Sequence, residues 1–170
     1  MKSLIKEIPD FPKKGISFKD LNPLFADETQ FYNLANQMHA GVCINKPTKV
    51  AGIESRGFII GAALAAMLHI GFIPLRKPGK LPPPVLREDY TKEYGKDALE
   101  VNPTLINGKD KILLIDDVLA TGETLLAATK LIEKCGADIV QIAVVAELNY
   151  LNGRVLLKKY NLTSHLTFDK

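Results

Sequence analysis

Residues Lys111–Gly136 read KILLIDDVLATGETLLAATKLIEKCG, and this stretch decides the fold. Ile112 to Ile115 are four consecutive apolar residues, the pattern of a strand buried on both faces of a parallel sheet. The run ends in two acids, Asp116 and Asp117, followed by a loop of small and hydroxyl residues over Val118–Glu123. Thr124 to Lys134 then take helical periodicity, which stops at Cys135-Gly136, a helix C-cap signal. A buried strand that delivers a polar loop to a helix start is one βα step of an α/β fold.

The same step occurs upstream. Lys49–Ile53 (KVAGI) is a short apolar run bounded by Pro47 and by Glu54-Ser55-Arg56-Gly57. Gly57 to Leu75 then runs nineteen residues without Asp, Glu, Lys or Arg, close to the ~20 needed to span a bilayer. The small residues of Gly61–Ala66, polar His69, Gly71 and Pro74 argue against a span. The expected parse is a buried Ala-rich helix over Gly57–His69, a turn at Gly71 and a strand over Phe72–Leu75. His69 and Cys135 are expected in the core.

Downstream, Ile139–Leu148 is another apolar run and Leu162–Phe168 reads as a last edge strand. Near the N-terminus, Asp27 or Thr29 can cap a helix to Val42, with Phe31, Leu34, Ala35, Met38 and Val42 on one face. The first 25 residues, with Pro9 and Pro12, read as loop and short extended segments. Residues 77–107 break the rhythm, and Val85–Tyr90 and Ala98–Val101 around Tyr94-Gly95 suggest a mobile hairpin lid. The fold class expected is α/β, a mainly parallel twisted sheet flanked by helices, with a small N-terminal hood over about 1–25. Ligands in such folds sit outside the carboxyl ends of the strands.

Length and composition fit that class. The 170 residues make one domain, and 46% hydrophobic with 24% charged residues excludes a disordered or fibrous chain. Twenty-two Lys and Arg against nineteen Asp and Glu leave +3, too small and dispersed an excess to indicate nucleic acid. Cys43 and Cys135 lie far apart without a CxxC partner, which argues against zinc or a disulfide framework. The N-terminus has no apolar core of signal-peptide length, so the cytoplasm is expected, with no membrane partner.

The chemistry concentrates in the opening stretch. Backbone N–H groups of Ala120–Thr124, with the helix start behind them, form an anion cradle suited to a phosphate monoester, and the Thr121 and Thr124 hydroxyls add donors. Gly122 permits close backbone approach. No Gly-Lys-Thr follows, so this is no Walker loop. Asp116 and Asp117 can accept hydrogen bonds from two ribose hydroxyls. A phosphate site beside a diol site describes a ribose 5-phosphate.

The string IDDVLATGET resembles the phosphoribosyl-diphosphate signature of the type I phosphoribosyltransferases. IPDFPKKGISFKDLNPLF, AGIESRGFIIGAALA, FIPLRKPGKLPPP and EYGKDALEV are similar, in order and spacing, to blocks of that family's adenine-using branch. The resemblance implies the type I fold and a purine-salvage enzyme. Its expected reaction joins N9 of adenine to the phosphoribosyl group of 5-phospho-α-D-ribose 1-diphosphate (PRPP), giving AMP and diphosphate. Mg²⁺ would be carried by PRPP with no protein ligand set, and a homodimer is implied.

Residue by residue, Ala120, Thr121, Gly122, Glu123 and Thr124 match the 5-phosphate loop, with Asp116 and Asp117 beside it. Glu54, Ser55 and Arg56 match a diphosphate-binding turn containing a non-proline cis peptide. Arg76, Lys77 and Lys80 match a second diphosphate cluster, whose arginine reaches across the dimer interface in the family. Glu93 and Tyr94 match the lid pair, with Glu93 the acid/base group. Ser17, Phe18 and Lys19 match the base-recognition segment, Lys19 standing where arginine is usual, and Val118 would cover the purine. Ala120 stands where 6-oxopurine members carry aspartate, which favours adenine over hypoxanthine or guanine; another type I enzyme using xanthine or guanine is the alternative within the class. Glu123 replaces a common glycine. A phosphoribosyltransferase-like regulator of nucleic acid is the other class, but no DNA-binding extension or strong basic face is present in the sequence.

Overall fold

The computed structural model describes residues 1–92 and 95–169, in two compact units, Met1–Met38 and His39–Lys170. In the first unit, β1 (Lys6–Ile8) and β2 (Phe18–Asp20) pair antiparallel with Glu7 opposite Lys19. A short helix, α1 (Asn22–Ala26), falls in the stretch expected to be loop and extended. Its five residues are too few to show periodicity, but Pro23 in the first turn and the Asp20 carboxylate, which accepts the Asn22 N–H at 2.9 Å, start it. In α2 (Glu28–Val42) the Asp27 carboxylate accepts the Gln30 N–H at 2.8 Å, the cap expected.

Among the described residues of the second unit, five strands make one parallel sheet in the order β4-β3-β7-β8-β9. These are β3 (Lys49–Ile53), β4 (Gly71–Leu75), β7 (Lys111–Leu119), β8 (Asp138–Leu148) and β9 (Leu162–Phe168). Ile112 to Ile115 are fully buried, as their continuous apolar run predicts. Each such side chain contributes about 1.5–3 kcal/mol through burial. Helices α3 (Gly57–Leu68) and α4 (Glu123–Lys134) pack on the sheet, and β5 (Leu86–Lys92) and β6 (Gly95–Val101) form a separate antiparallel hairpin.

Several boundaries differ from the sequence reading. The chain reverses at His69, which is exposed at left-handed φ 56° and caps α3, while Gly71 already belongs to β4. His69 is therefore a cap and not core. Strand β7 continues through Val118-Leu119 because β8 and its pairing extend that far, so Asp116 and Asp117 lie within the strand. Helix α4 begins at Glu123, one residue early. The hairpin strands are longer than expected, and Leu99 and Val101 are fully buried in the core. Glu88 of β5 is tied to α4 by Lys134 at 2.5 Å and Lys130 at 3.6 Å. Cys135 is half-buried, and burial pushes its thiol up.

Candidate active site

Between the end of β7 and the start of α4, Gly122 adopts φ +94° and caps the helix. The first N–H groups of a helix have no partners within it and sit at the positive end of its dipole. A pocket opens here, lined by Asp116, Val118, Leu119, Ala120, Thr121, Gly122, Thr124 and Leu125. Four of the five residues expected to hold a phosphate, Ala120, Thr121, Gly122 and Thr124, thus surround one space, together with Val118 and one of the two acids. Glu123 is half-buried in the first turn of α4 and does not line it.

Asp116 and Asp117 are each 8% exposed. The Asp116 carboxylate accepts the Asp117 N–H at 2.9 Å. The helix start of α3 comes so close that a Cβ on Gly57 would stand 3.1 Å from Asp116 Oδ1. Burial, reinforced by the neighbouring Asp117 charge, pushes the Asp116 carboxyl well above the usual carboxylate range. Asp117 Oδ2 forms an ion pair with Arg56, and among the described residues that buried oxygen accepts no hydrogen bond.

Glu54, Ser55 and Arg56 form the turn between β3 and α3, and the Glu54-Ser55 peptide is cis. Arg76, Lys77 and Lys80 follow β4, the neighbouring parallel strand, which brings the two predicted diphosphate groups together. The Glu54 side chain, 9% exposed, receives Arg76 Nε at 3.2 Å, the Lys77 backbone N–H at 2.9 Å and Lys80 Nζ. Burial pushes its carboxyl up, but these hydrogen bonds outweigh burial and hold it down at about 2. The Arg76 backbone exchanges two hydrogen bonds with Glu100, at 2.8 and 2.7 Å, and the Glu100 side chain accepts the Gly79 N–H at 2.9 Å. The basic segment is thereby attached to the hairpin.

Lys77 pairs with Asp97 of β6 and donates to the Tyr90 hydroxyl of β5 at 2.9 Å. Tyr90 donates in turn to Asp97 at 3.0 Å and lies 3.4 Å from the Thr124 hydroxyl. Sequence reading did not single out Tyr90 or Asp97. They are cross-strand partners, legible only once the hairpin register is known. Glu93 and Tyr94 lie outside the described residues. All four basic residues assigned to a diphosphate therefore meet a carboxylate: Arg56 with Asp117, Arg76 and Lys80 with Glu54, Lys77 with Asp97.

In the first unit, Lys19 of β2 is 4% exposed and pairs with Glu7 at 2.8 Å, while Ser17 Oγ donates to the same carboxylate at 2.5 Å. The hydrogen bond from Lys19, then that from Ser17, lowers the Glu7 pKa. The Phe18 ring meets Phe11 edge-on, with centroids 5.1 Å apart.

The phosphoribosyl transferase domain model matches residues 28–165. An adenine phosphoribosyltransferase of Christiangramia forsetii is 47% identical over 169 residues, which cover 99% of each chain. The crystal structure of adenine phosphoribosyltransferase from Thermoanaerobacter pseudethanolicus superposes with a TM-score of 0.96 at 41% identity, covering 98% of this chain and 97% of that one. An APRTase of Giardia lamblia complexed with 9-deazaadenine gives 0.95 at 40% identity, with coverages of 99% and 96%. With matches this long and a parallel sheet that carries the signature loop at its carboxyl end, the chain belongs to the adenine phosphoribosyltransferases of the phosphoribosyl transferase family.

Proposed function

We propose that this chain transfers the 5-phosphoribosyl group of PRPP to N9 of adenine, giving AMP and diphosphate in purine salvage. The observation that carries the reading is the pocket at the β7–α4 turn, where the loop Ala120–Gly122 and the start of α4 adjoin the buried Asp116. Ala120, Thr121, Gly122, Glu123 and Thr124 would take the 5-phosphate through the loop backbone and hydroxyls. Asp116 and Asp117 would accept the ribose hydroxyls. The Glu54-Ser55 backbone, Arg56, Arg76, Lys77 and Lys80 would bind the diphosphate, exchanging their carboxylate partners for phosphoryl oxygens.

In the reaction the C1–O bond to diphosphate breaks, the N9–C1 bond forms, and the N9 proton leaves. Cations around the departing diphosphate stabilise the charge it gains. Glu93 is the proposed proton acceptor, and Tyr94 closes with it to exclude water. Ser17, Phe18 and Lys19 are assigned to the base, and so is Val118.

Mg²⁺ is proposed to enter as part of the substrate, on diphosphate and sugar oxygens, a hard-oxygen environment that suits it. Among the described residues no three His, Cys, Asp or Glu gather around one point. We place the protein in the cytoplasm; among the described residues no helix is long and apolar enough to cross a membrane. A homodimer is supported by the exposed apolar residues Ile59, Ala62 and Ala66 on one side of α3. The test is a product assay over a panel of bases with PRPP and Mg²⁺. AMP from adenine is expected, and turnover of hypoxanthine without adenine would overturn the assignment.

A further inference from the structure

The turn that carries the phosphate site rests on a segment far along the chain. Asn152 takes left-handed φ 53° and Gly153 begins a 3-10 turn, Gly153–Leu157. A Cβ on Gly122 would stand 2.6 Å from the Gly153 carbonyl oxygen. A Cβ on Gly153 would run into the Ala120 carbonyl oxygen and stand 2.9 Å from the Thr121 carbonyl carbon. The two backbones are in direct contact, and where Gly153 sits decides where Ala120–Gly122 can sit.

Gly153 is held by its neighbour. Arg154 grips Glu147 with both arms of its guanidinium, Nε to Oε1 at 2.9 Å and NH2 to Oε2 at 2.5 Å. It also donates to the Leu162 carbonyl at 2.9 Å and to Ser164 Oγ at 3.1 Å, and Ser164 Oγ donates to Glu147 Oε2 at 2.6 Å. Glu147 is 5% exposed and pairs in register with Leu119, the residue just before the turn. The clamp fastens the backing segment to β8 and β9, at the same height in the sheet as the loop it supports. A planar fork is required for this set of bonds, and lysine has none.

We propose that Arg154, through its clamp on Glu147, is a positioning residue that seats Gly153 beneath the Ala120–Gly122 turn and thereby sets the affinity of that turn for a ribosyl 5-phosphate. The inference rests on the reading of this turn as the phosphate site. It is tested in the full chain with Arg154→Ala, Arg154→Lys and, as a marker of the site itself, Thr121→Val. Ribose 5-phosphate affinity is read by titration calorimetry, KM for PRPP and for adenine by steady-state kinetics, and stability by thermal unfolding. Arg154→Ala is expected to weaken ribose 5-phosphate and raise KM for PRPP by about tenfold, as misplacement of a supporting group does. KM for adenine should stay within about twofold, and Arg154→Lys should fall between wild type and Arg154→Ala. Lowered stability with unchanged ribose 5-phosphate affinity would make Arg154 a structural residue only and overturn the proposal. If Arg154→Ala does not fold, Arg154→Lys decides alone: a raised KM for PRPP supports the proposal and an unchanged one overturns it. If Arg154→Ala leaves the phosphate affinity intact while Thr121→Val weakens it, the inference fails and the site stands. If Thr121→Val has no effect either, the phosphate-site reading falls and takes the inference with it.

Discussion

Arg56 and Asp117 form an ion pair at the carboxyl end of the sheet, the arginine from the turn after β3 and the acid from β7. The group assigned to the diphosphate is thus paired with a group assigned to the ribose. The site is balanced internally, and the overall charge of +3 is no measure of how many cations face the ligand.

Removing the arginine alone leaves the Asp117 carboxylate buried without that cation. Arg56→Ala is expected to cost about 2 kcal/mol of stability, below the range for a fully buried pair because Arg56 is 22% exposed. PRPP affinity should fall with it. Urea unfolding of Arg56→Ala and of Arg56→Ala with Asp117→Asn checks the cause, since the double variant should regain part of the loss.

Asp116 predicts the opposite trade. Its folded pKa is raised, so in the free protein its stability contribution is greatest at low pH and declines as pH rises through the folded value. Asp116→Asn keeps an oxygen for the Asp117 N–H and removes the buried charge. It should stabilise the free protein at neutral pH by about 1 kcal/mol. The loss of a charged acceptor for a ribose hydroxyl should raise KM for PRPP by about 10- to 100-fold. Thermal unfolding beside steady-state kinetics measures both, and a destabilised variant would contradict this account.

Glu54 gives a pH window. Its carboxyl is held at about 2 in the fold against 4.5 as the ordinary value, so the stability it contributes is present above 4.5 and lost as pH falls toward 2. Urea midpoints of wild type and Glu54→Gln should differ at neutral pH and converge across that window. A gap independent of pH would mean that the charge of Glu54 does not organise Arg76 and Lys80.

Gly122→Ala should be costly without touching any charge. The backbone there is at φ +94°, and the added methyl would meet the Gly153 carbonyl oxygen. About 2 kcal/mol is expected from such strain and overlap. Ribose 5-phosphate affinity, read by calorimetry, should drop more than adenine affinity.

Much of the fold was legible because its signals are local. Lys49–Ile53 and Leu162–Phe168 are strands at the residues that their apolar runs and flanking breakers indicate. Ala120, Thr121, Gly122 and Thr124, adjacent in sequence, line one pocket. Misreadings fall where a neighbour overrides the local signal. Val118-Leu119 continue as strand because β8 pairs with them. The end of the polar excursion reaches the core, because Leu99 and Val101 of β6 are fully buried there.

By itself the sequence determined the βα steps of the parallel sheet and the family, since these follow from runs, caps and spacings within a few residues. Only the tertiary structure decided which charges meet. Glu54 and Lys80 are 26 positions apart, Arg56 and Asp117 lie on different strand ends, and Arg154 reaches Glu147 and Ser164 across two strands. An ion pair needs two side chains within a few ångströms, and for residues this far apart the sheet register sets that distance.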